Sequence, residues 1–114
     1  MLTRITDTVG RQINLNYDIN GRLIKIIDFS LREITYSYDN LNHLTSVTDP
    51  AGNITQYTYD ADRNLRSITD PNGNTFLTNT YNPLEQVIAQ GYGNGTFYFS
   101  YDTQNRITDF TDRI

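Results

Sequence analysis

The chain has 114 residues, a usual size for one domain, with 37% hydrophobic residues, 19% charged residues and a formal net charge of −4. No basic patch is present to neutralise phosphates, which argues against a nucleic-acid partner. No apolar run is long enough to cross a bilayer, no signal-peptide pattern follows Met1, and the absence of cysteine removes disulfides and thiolate metal sites.

Taken in order, the chain is punctuated by Tyr-Asp pairs: Tyr17-Asp18, Tyr38-Asp39, Tyr59-Asp60 and Tyr101-Asp102, with the variant Tyr81-Asn82. The tyrosines lie 21, 21, 22 and 20 residues apart, which is a repeat period. A first turn is expected after each pair, at 18–21, 39–42, 60–63, 82–85 and 102–105. A second falls about halfway between, at 7–10, 28–31, 49–52 and 70–73. Asp favours the first position of both columns, through Asp18, Asp39, Asp60, Asp102, Asp49 and Asp70 among others. Gly or Asn favours the fourth, as in Gly21, Gly52 and Gly73. That is type I turn chemistry closed by a left-handed residue. Leu31, Arg63 and Glu85 break the rule, so their turns are expected to be strained or differently shaped.

The arm before each pair alternates. Ile13, Leu15 and Tyr17 share one face, as do Ile34, Tyr36 and Tyr38, and Phe97, Phe99 and Tyr101. Period two predicts strands near 11–17, 32–38, 53–59, 75–81 and 96–101. The 75–81 arm is one residue longer and carries Asn79 inward. Returning arms place apolar residues six and nine positions after the tyrosine, as in Leu23 and Ile26, Leu44 and Val47, and Leu65 and Ile68. A three-residue step predicts a bulge between them. Unit four departs at Gln90 and at Gly91, Gly93 and Gly95. No segment sustains a helical period. The expected fold is all-β: an array of antiparallel β-hairpins from ~21-residue repeats, forming a twisted open sheet or a piece of a β-solenoid or shell. It spans 1–114 without a second domain, in about ten strands. It begins near Asp7 and stops after Asp112, as a cut piece of a longer array would.

Candidate chemistry is sparse. The column Tyr17, Tyr38, Tyr59, Tyr81 and Tyr101 is expected to stack as cross-strand aromatic pairs; sugar stacking is the alternative. Tyr92 and Tyr98 fall off that column and are the candidates for ligand contact. The aspartates are expected to cap turns. Asp60, Asp62 and Asn64 mimic the start of a calcium loop, but Leu65 stands where glycine is needed. His43, the one histidine, has no second histidine or cysteine to complete a site and is expected to be solvated. No catalytic residue, metal ligand or cofactor site is assigned.

The runs YDINGRL at 17–23, YSYDNLNHLTSVTDPAGN at 36–53 and YTYDADRNLRSITDPNGN at 57–74 resemble the Rhs, or YD-repeat, family. The family includes bacterial polymorphic toxins, cocoon-forming subunits of insecticidal toxin complexes and animal teneurins. The resemblance implies a β-sheet that spirals into a hollow shell around a toxic domain, a secreted or cell-surface setting and, for some members, carbohydrate binding. Choline-binding repeats are similar in period but rely on tryptophan, which is absent here. The expected function is a non-enzymatic structural module, with glycan or cell-wall binding as the alternative. Self-association through the apolar face or the sheet edges is also expected, because Arg11–Tyr17 would be a poorly guarded edge.

Overall fold

The computed structural model describes residues 1–102, 104 and 107–113. Thr103, Asn105 and Arg106, which belong to the last expected turn and arm, lie outside the described residues. Eleven strands are formed among the described residues: β1 (Arg4–Thr6), β2 (Gln12–Tyr17), β3 (Leu23–Ile27), β4 (Glu33–Tyr38), β5 (Leu44–Thr48), β6 (Ile54–Tyr59), β7 (Leu65–Thr69), β8 (Thr75–Tyr81), β9 (Val87–Tyr92), β10 (Gly95–Asp102) and β11 (Ile107–Arg113). The chain falls into two compact units, Met1–Thr55 and Gln56–Ile114. In the first, β1 to β5 form an antiparallel meander in chain order. In the second, β6 to β11 do the same.

The alternation seen in the arms becomes a two-faced sheet in each unit. In the first, Leu15 pairs with Ile26 and Ile26 with Ile34, while Tyr36 pairs with Val47. In the second, Tyr57 pairs with Ile68 and Ile68 with Leu77. The opposite face is polar: Asn16 pairs with Lys25, Ser37 with Ser46 and Thr58 with Ser67.

The bulge falls between positions six and nine of the returning arm. Tyr17 pairs with Leu23 but Asn16 with Lys25, so the register shifts by one residue there. The same shift occurs at Tyr38 opposite Leu44, Tyr59 opposite Leu65 and Tyr81 opposite Val87. Inserting one residue is what brings Leu23 and Ile26 to a common face despite their three-residue spacing. The longer 75–81 arm absorbs its extra residue the same way, because Ile68 pairs with Leu77 and Thr69 with Thr75.

Three expectations need correction. The array does not begin at Asp7: Arg4–Thr6 pairs with β2, so 11–17 is not an edge arm. Leu2 and Ile5 repeat the spacing of Leu23 and Ile26, but no Tyr-Asp pair precedes them in the sequence to reveal it. Leu31, Arg63 and Glu85 do not change the shape of their turns; of the two expectations it is the strain that holds, since each is a non-glycine residue at positive φ. They take φ of 62°, 71° and 62°, beside 78°, 87° and 84° at Gly21, Gly52 and Gly73. Their N–H groups bond the first turn carbonyl as the glycines do, at 3.0, 3.1 and 2.9 Å. Finally, the tyrosines of the repeat do not sit on adjacent strands: β3 lies between Tyr17 and Tyr38, so they cannot form neighbouring cross-strand pairs.

No Asp turn follows the returning arm of unit four. Tyr92 pairs with Gly95 across a two-residue loop in which Gly93 has φ of 58°, a tight hairpin of the kind that needs glycine first. No large hydrophobic side chain is buried among the described residues. A single layer of sheet has nothing behind it to complete a core.

Candidate functional site

The first constellation is the aspartate turn, built among the described residues seven times on aspartate and once on Asn82 with one geometry. In the turn at 18–22, Asp18 Oδ1 accepts the N–H groups of Asn20 at 2.9 Å and Arg22 at 3.0 Å, and Oδ2 accepts Arg22 Nε at 2.7 Å. Asp18 N–H also donates to the Arg22 carbonyl, and Gly21 N–H to the Asp18 carbonyl. One carboxylate thus satisfies backbone donors that a turn leaves open. Asp7, Asp28, Asp39, Asp49, Asp60 and Asp70 repeat the two backbone bonds, and Asn82 supplies them through its amide oxygen. Asp102 Oδ1 accepts the Gln104 N–H at 3.1 Å.

The sequence reading missed the fifth position. Arg11, Arg22, Arg32, His43, Asn53, Asn64 and Asn74 return a side-chain bond to the first residue, and Gln86 Oε1 accepts one from Asn82 Nδ2. Four residue types fill the column, and only their shared ability to hydrogen-bond marks it. His43 is therefore not solvated: its ring nitrogen lies 2.9 Å from Asp39 Oδ2 and its side chain is 14% exposed. Arg22 extends further. Its Nη1 reaches Asn42 Oδ1 at 3.0 Å, and its guanidinium lies 4.9 Å from the centre of the Tyr38 ring, tying one turn to the next.

These bonds hold several carboxyls below the ordinary range. Asp7 is lowered first by the Arg11 side chain, Asp18 by the Arg22 N–H, Asp39 by the His43 N–H and Asp49 by the Asn53 side chain. For Asp28 partial desolvation is the largest influence and raises the value, but the bonds from Arg32 and Ser30 outweigh it. A lowered, fully hydrogen-bonded carboxylate is a poor proton carrier near neutral pH.

The second constellation is the tyrosine clasp. Tyr17 OH donates to the Leu2 carbonyl at 2.6 Å, Tyr38 OH to Leu23 at 2.7 Å, Tyr81 OH to Leu65 at 2.6 Å and Tyr101 OH to Val87 at 2.5 Å. Leu23, Leu65 and Val87 are the residues where the bulge opens. The clasp therefore joins each of these four arms to the hairpin before it, and the four hydroxyls donate to the backbone.

The third constellation is the break in the apolar face of the second unit. Asn79 pairs with Gln90, and Gln90 with Phe97. Gln90 Nε2 donates to Asn79 Oδ1 at 2.9 Å, and Asn79 Nδ2 reaches Tyr81 OH at 3.2 Å. Tyr92 stacks on Phe97 with centroids 4.2 Å apart, and Phe97 lies 4.8 Å from Phe110. Tyr92 OH donates to Asp112, and this carboxylate raises the phenol pKa, with desolvation adding to it. Gly95 is required here, since a Cβ would stand 2.6 Å from the Tyr92 ring. Tyr98, 46% exposed, lies on the opposite face, between Ala89 and Thr111.

No group of three His, Asp or Glu side chains that could hold a metal occurs among the described residues. The hollows of the surface are shallow; one of about 430 Å³ lies beside Val9, Arg11, Asp28, Phe29 and Leu31.

Residues 32–54 and 38–75 match the family model described as RHS Repeat. No curated protein sequence matches the chain. A solved structure of a Photorhabdus luminescens Tc holotoxin pore, carrying a TccC3 substitution, aligns over 90% of this chain with 20% identity and a TM-score of 0.71. A crystal structure titled TcdB2-TccC3-Cdc42 aligns over 82% with 17% identity and a TM-score of 0.38. The chain spans 6% of the length of each. The first likeness shows a shared all-β fold.

Proposed function

This chain is an array of Rhs (YD) repeats, and from that premise we propose that it is a non-enzymatic structural module, a stretch of wall in a larger secreted or surface shell. The observation that carries this reading is where the polar groups of the repeat go. The clasp phenols and turn carboxylates bond the chain's own backbone. What remains on one face is a row of Leu, Ile and Tyr side chains that the single layer leaves half-buried. Such a surface suits a wall that has an apolar side to present, and not a catalytic cleft.

Glycan binding is the second reading, favoured by the Tyr92–Phe97 stack flanked by Asp112 and Gln90. An aromatic platform beside amide and carboxylate groups is suited to a sugar ring and its hydroxyls. Titration with a panel of mono- and oligosaccharides, followed by tyrosine fluorescence, separates the two. The structural reading predicts no saturable change. A saturable change that is lost in Tyr92→Ala would favour the glycan.

A further inference from the structure

We propose that Asn20 and Asn72 are sites of self-modification, deamidation through attack by the glycine that follows each, and that the turn aspartates Asp18 and Asp70 hold the reaction off. Asn-Gly occurs at Asn20-Gly21, Asn72-Gly73 and Asn94-Gly95. A glycine after asparagine favours this chemistry, because no side chain hinders the approach of its nitrogen to the asparagine Cγ. The other turn asparagines, Asn42, Asn53, Asn64 and Asn74, precede His43, Ile54, Leu65 and Thr75, whose side chains crowd that approach. In the Asp-x-Asn-Gly turns the lability comes with the fold. Gly21 and Gly73 take φ of 78° and 84°, a conformation that glycine adopts without strain.

The reaction starts when the Gly73 amide loses its proton to hydroxide. Its nitrogen bonds to Asn72 Cγ, the Cγ–Nδ2 bond breaks, and the departing nitrogen takes up a proton and leaves as ammonia. Water then opens the succinimide ring. Opening at Cγ gives aspartate. Opening at the main-chain carbonyl gives isoaspartate, which routes the backbone through the side chain and lengthens it by one carbon. The turn spacing is then lost irreversibly.

Asn20 and Asn72 are exposed, and among the described residues no side-chain bond engages either amide. What holds them is the backbone. Gly73 N–H donates to the Asp70 carbonyl at 3.0 Å. Asp70 Oδ1 accepts the N–H groups of Asn72 at 3.0 Å and Asn74 at 2.8 Å, on either side of the glycine. Asp18 makes the same three bonds to Gly21, Asn20 and Arg22. The proton that must leave is therefore held in a bond. Ring closure also needs the glycine nitrogen in line with the asparagine Cβ. The third residue of a type I turn has ψ of about 0°, which aligns that nitrogen with the asparagine nitrogen instead. The peptide plane must rotate, and with both neighbours anchored to one carboxylate it rotates only when the turn opens. Asn94-Gly95 lies outside this arrangement, because Gly95 is buried against the Tyr92 ring and paired with Tyr92 in the ladder.

The test follows deamidation of the full chain at mildly alkaline pH by peptide mapping and mass spectrometry, with isoaspartyl methyltransferase labelling to count isoaspartate. A synthetic peptide of residues 68–76 is the unfolded reference. Asn72 should react at least about tenfold more slowly in the chain than in the peptide, the factor that one or two hydrogen bonds of ordinary net worth give. Asp70→Ala should bring Asn72 close to the peptide rate and leave Asn20 at the parent rate. Asp18→Ala, read at Asn20, repeats the comparison in the first unit. Asp70→Asn keeps an acceptor oxygen, as Asn82 does in its own turn, and should stay close to the parent. Asp60→Ala opens a different turn of the same unit and should leave Asn72 at the parent rate. Equal rates in chain and peptide, or no acceleration in Asp70→Ala and Asp18→Ala, would overturn the proposal. So would equal acceleration of Asn72 by Asp60→Ala and Asp70→Ala, because general unfolding and not the clamp would then be the gate.

Discussion

The Tyr38 hydroxyl is the smallest test of what the repeat residues are for. Its bond to the Leu23 carbonyl is 2.7 Å long and partly shielded from water. Tyr38→Phe keeps the ring and removes that bond alone, so it should destabilise the first unit by about 1 kcal/mol, the net worth of an ordinary hydrogen bond. A melt unchanged from the parent would mean that the clasp contributes nothing. Gly73 tests the turn. A Cβ there meets no atom within 4 Å, so Gly73→Val reports the left-handed backbone without a clash. The expected loss is about 1–2 kcal/mol, read from thermal or denaturant melts. Leu31 gives the converse. It holds φ of 62° with its side chain 81% exposed. Leu31→Gly relieves that strain, partly offset by the greater freedom of glycine when unfolded, and should raise the melting temperature. A fall would show that the Leu31 side chain matters more than its backbone.

At the scale of the element, the turn is one carboxylate holding five residues. The carboxyls of Asp7, Asp18, Asp28, Asp39 and Asp49 titrate below the ordinary value when folded. A depressed folded value means that their stabilisation is complete above the unfolded pKa of about 3.9 and is lost as pH falls from there through the folded value. The melting temperature should therefore stay level from pH 7 to about pH 5 and drop below about pH 4. A chain as stable at pH 2 as at pH 7 would contradict the turn assignment. The turns and bulges were legible because each leaves a local mark: Asp first and glycine fourth in Asp70-Pro71-Asn72-Gly73, and the Leu65–Ile68 step for the bulge. Arg22, His43 and Asn53 were not legible as one column, because donor capacity is common to unlike side chains. The tyrosine clasp was hidden for a different reason. It is a contact between Tyr38 and Leu23, set by strand order, and alternation alone cannot distinguish a hydroxyl aimed at a carbonyl from a ring stacked on a ring. In the aromatic patch, Gln90 and the glycines at 91, 93 and 95 marked a departure from the repeat. The Tyr92–Asp112 bond could not be read, because it joins strands that the sequence places 20 residues apart.

For the molecule as a whole, each unit is one layer of sheet with an apolar and a polar face, and no large hydrophobic side chain is buried among the described residues. Repeat arrays of this kind draw stability from neighbour contacts and not from a central core. If the apolar face is the side of a wall, as proposed, it would be covered in the assembly, and in the isolated chain we expect another copy to cover it. The net charge of −4 and the polar face favour a closed oligomer over open fibres. Sedimentation velocity at micromolar concentration, run beside binding of a hydrophobic dye, tests this most directly. The expected result is a defined oligomer that excludes the dye, dissociating on dilution to a species that binds it. A monomer at all concentrations that leaves the dye unbound would contradict the reading of this face as one side of a wall.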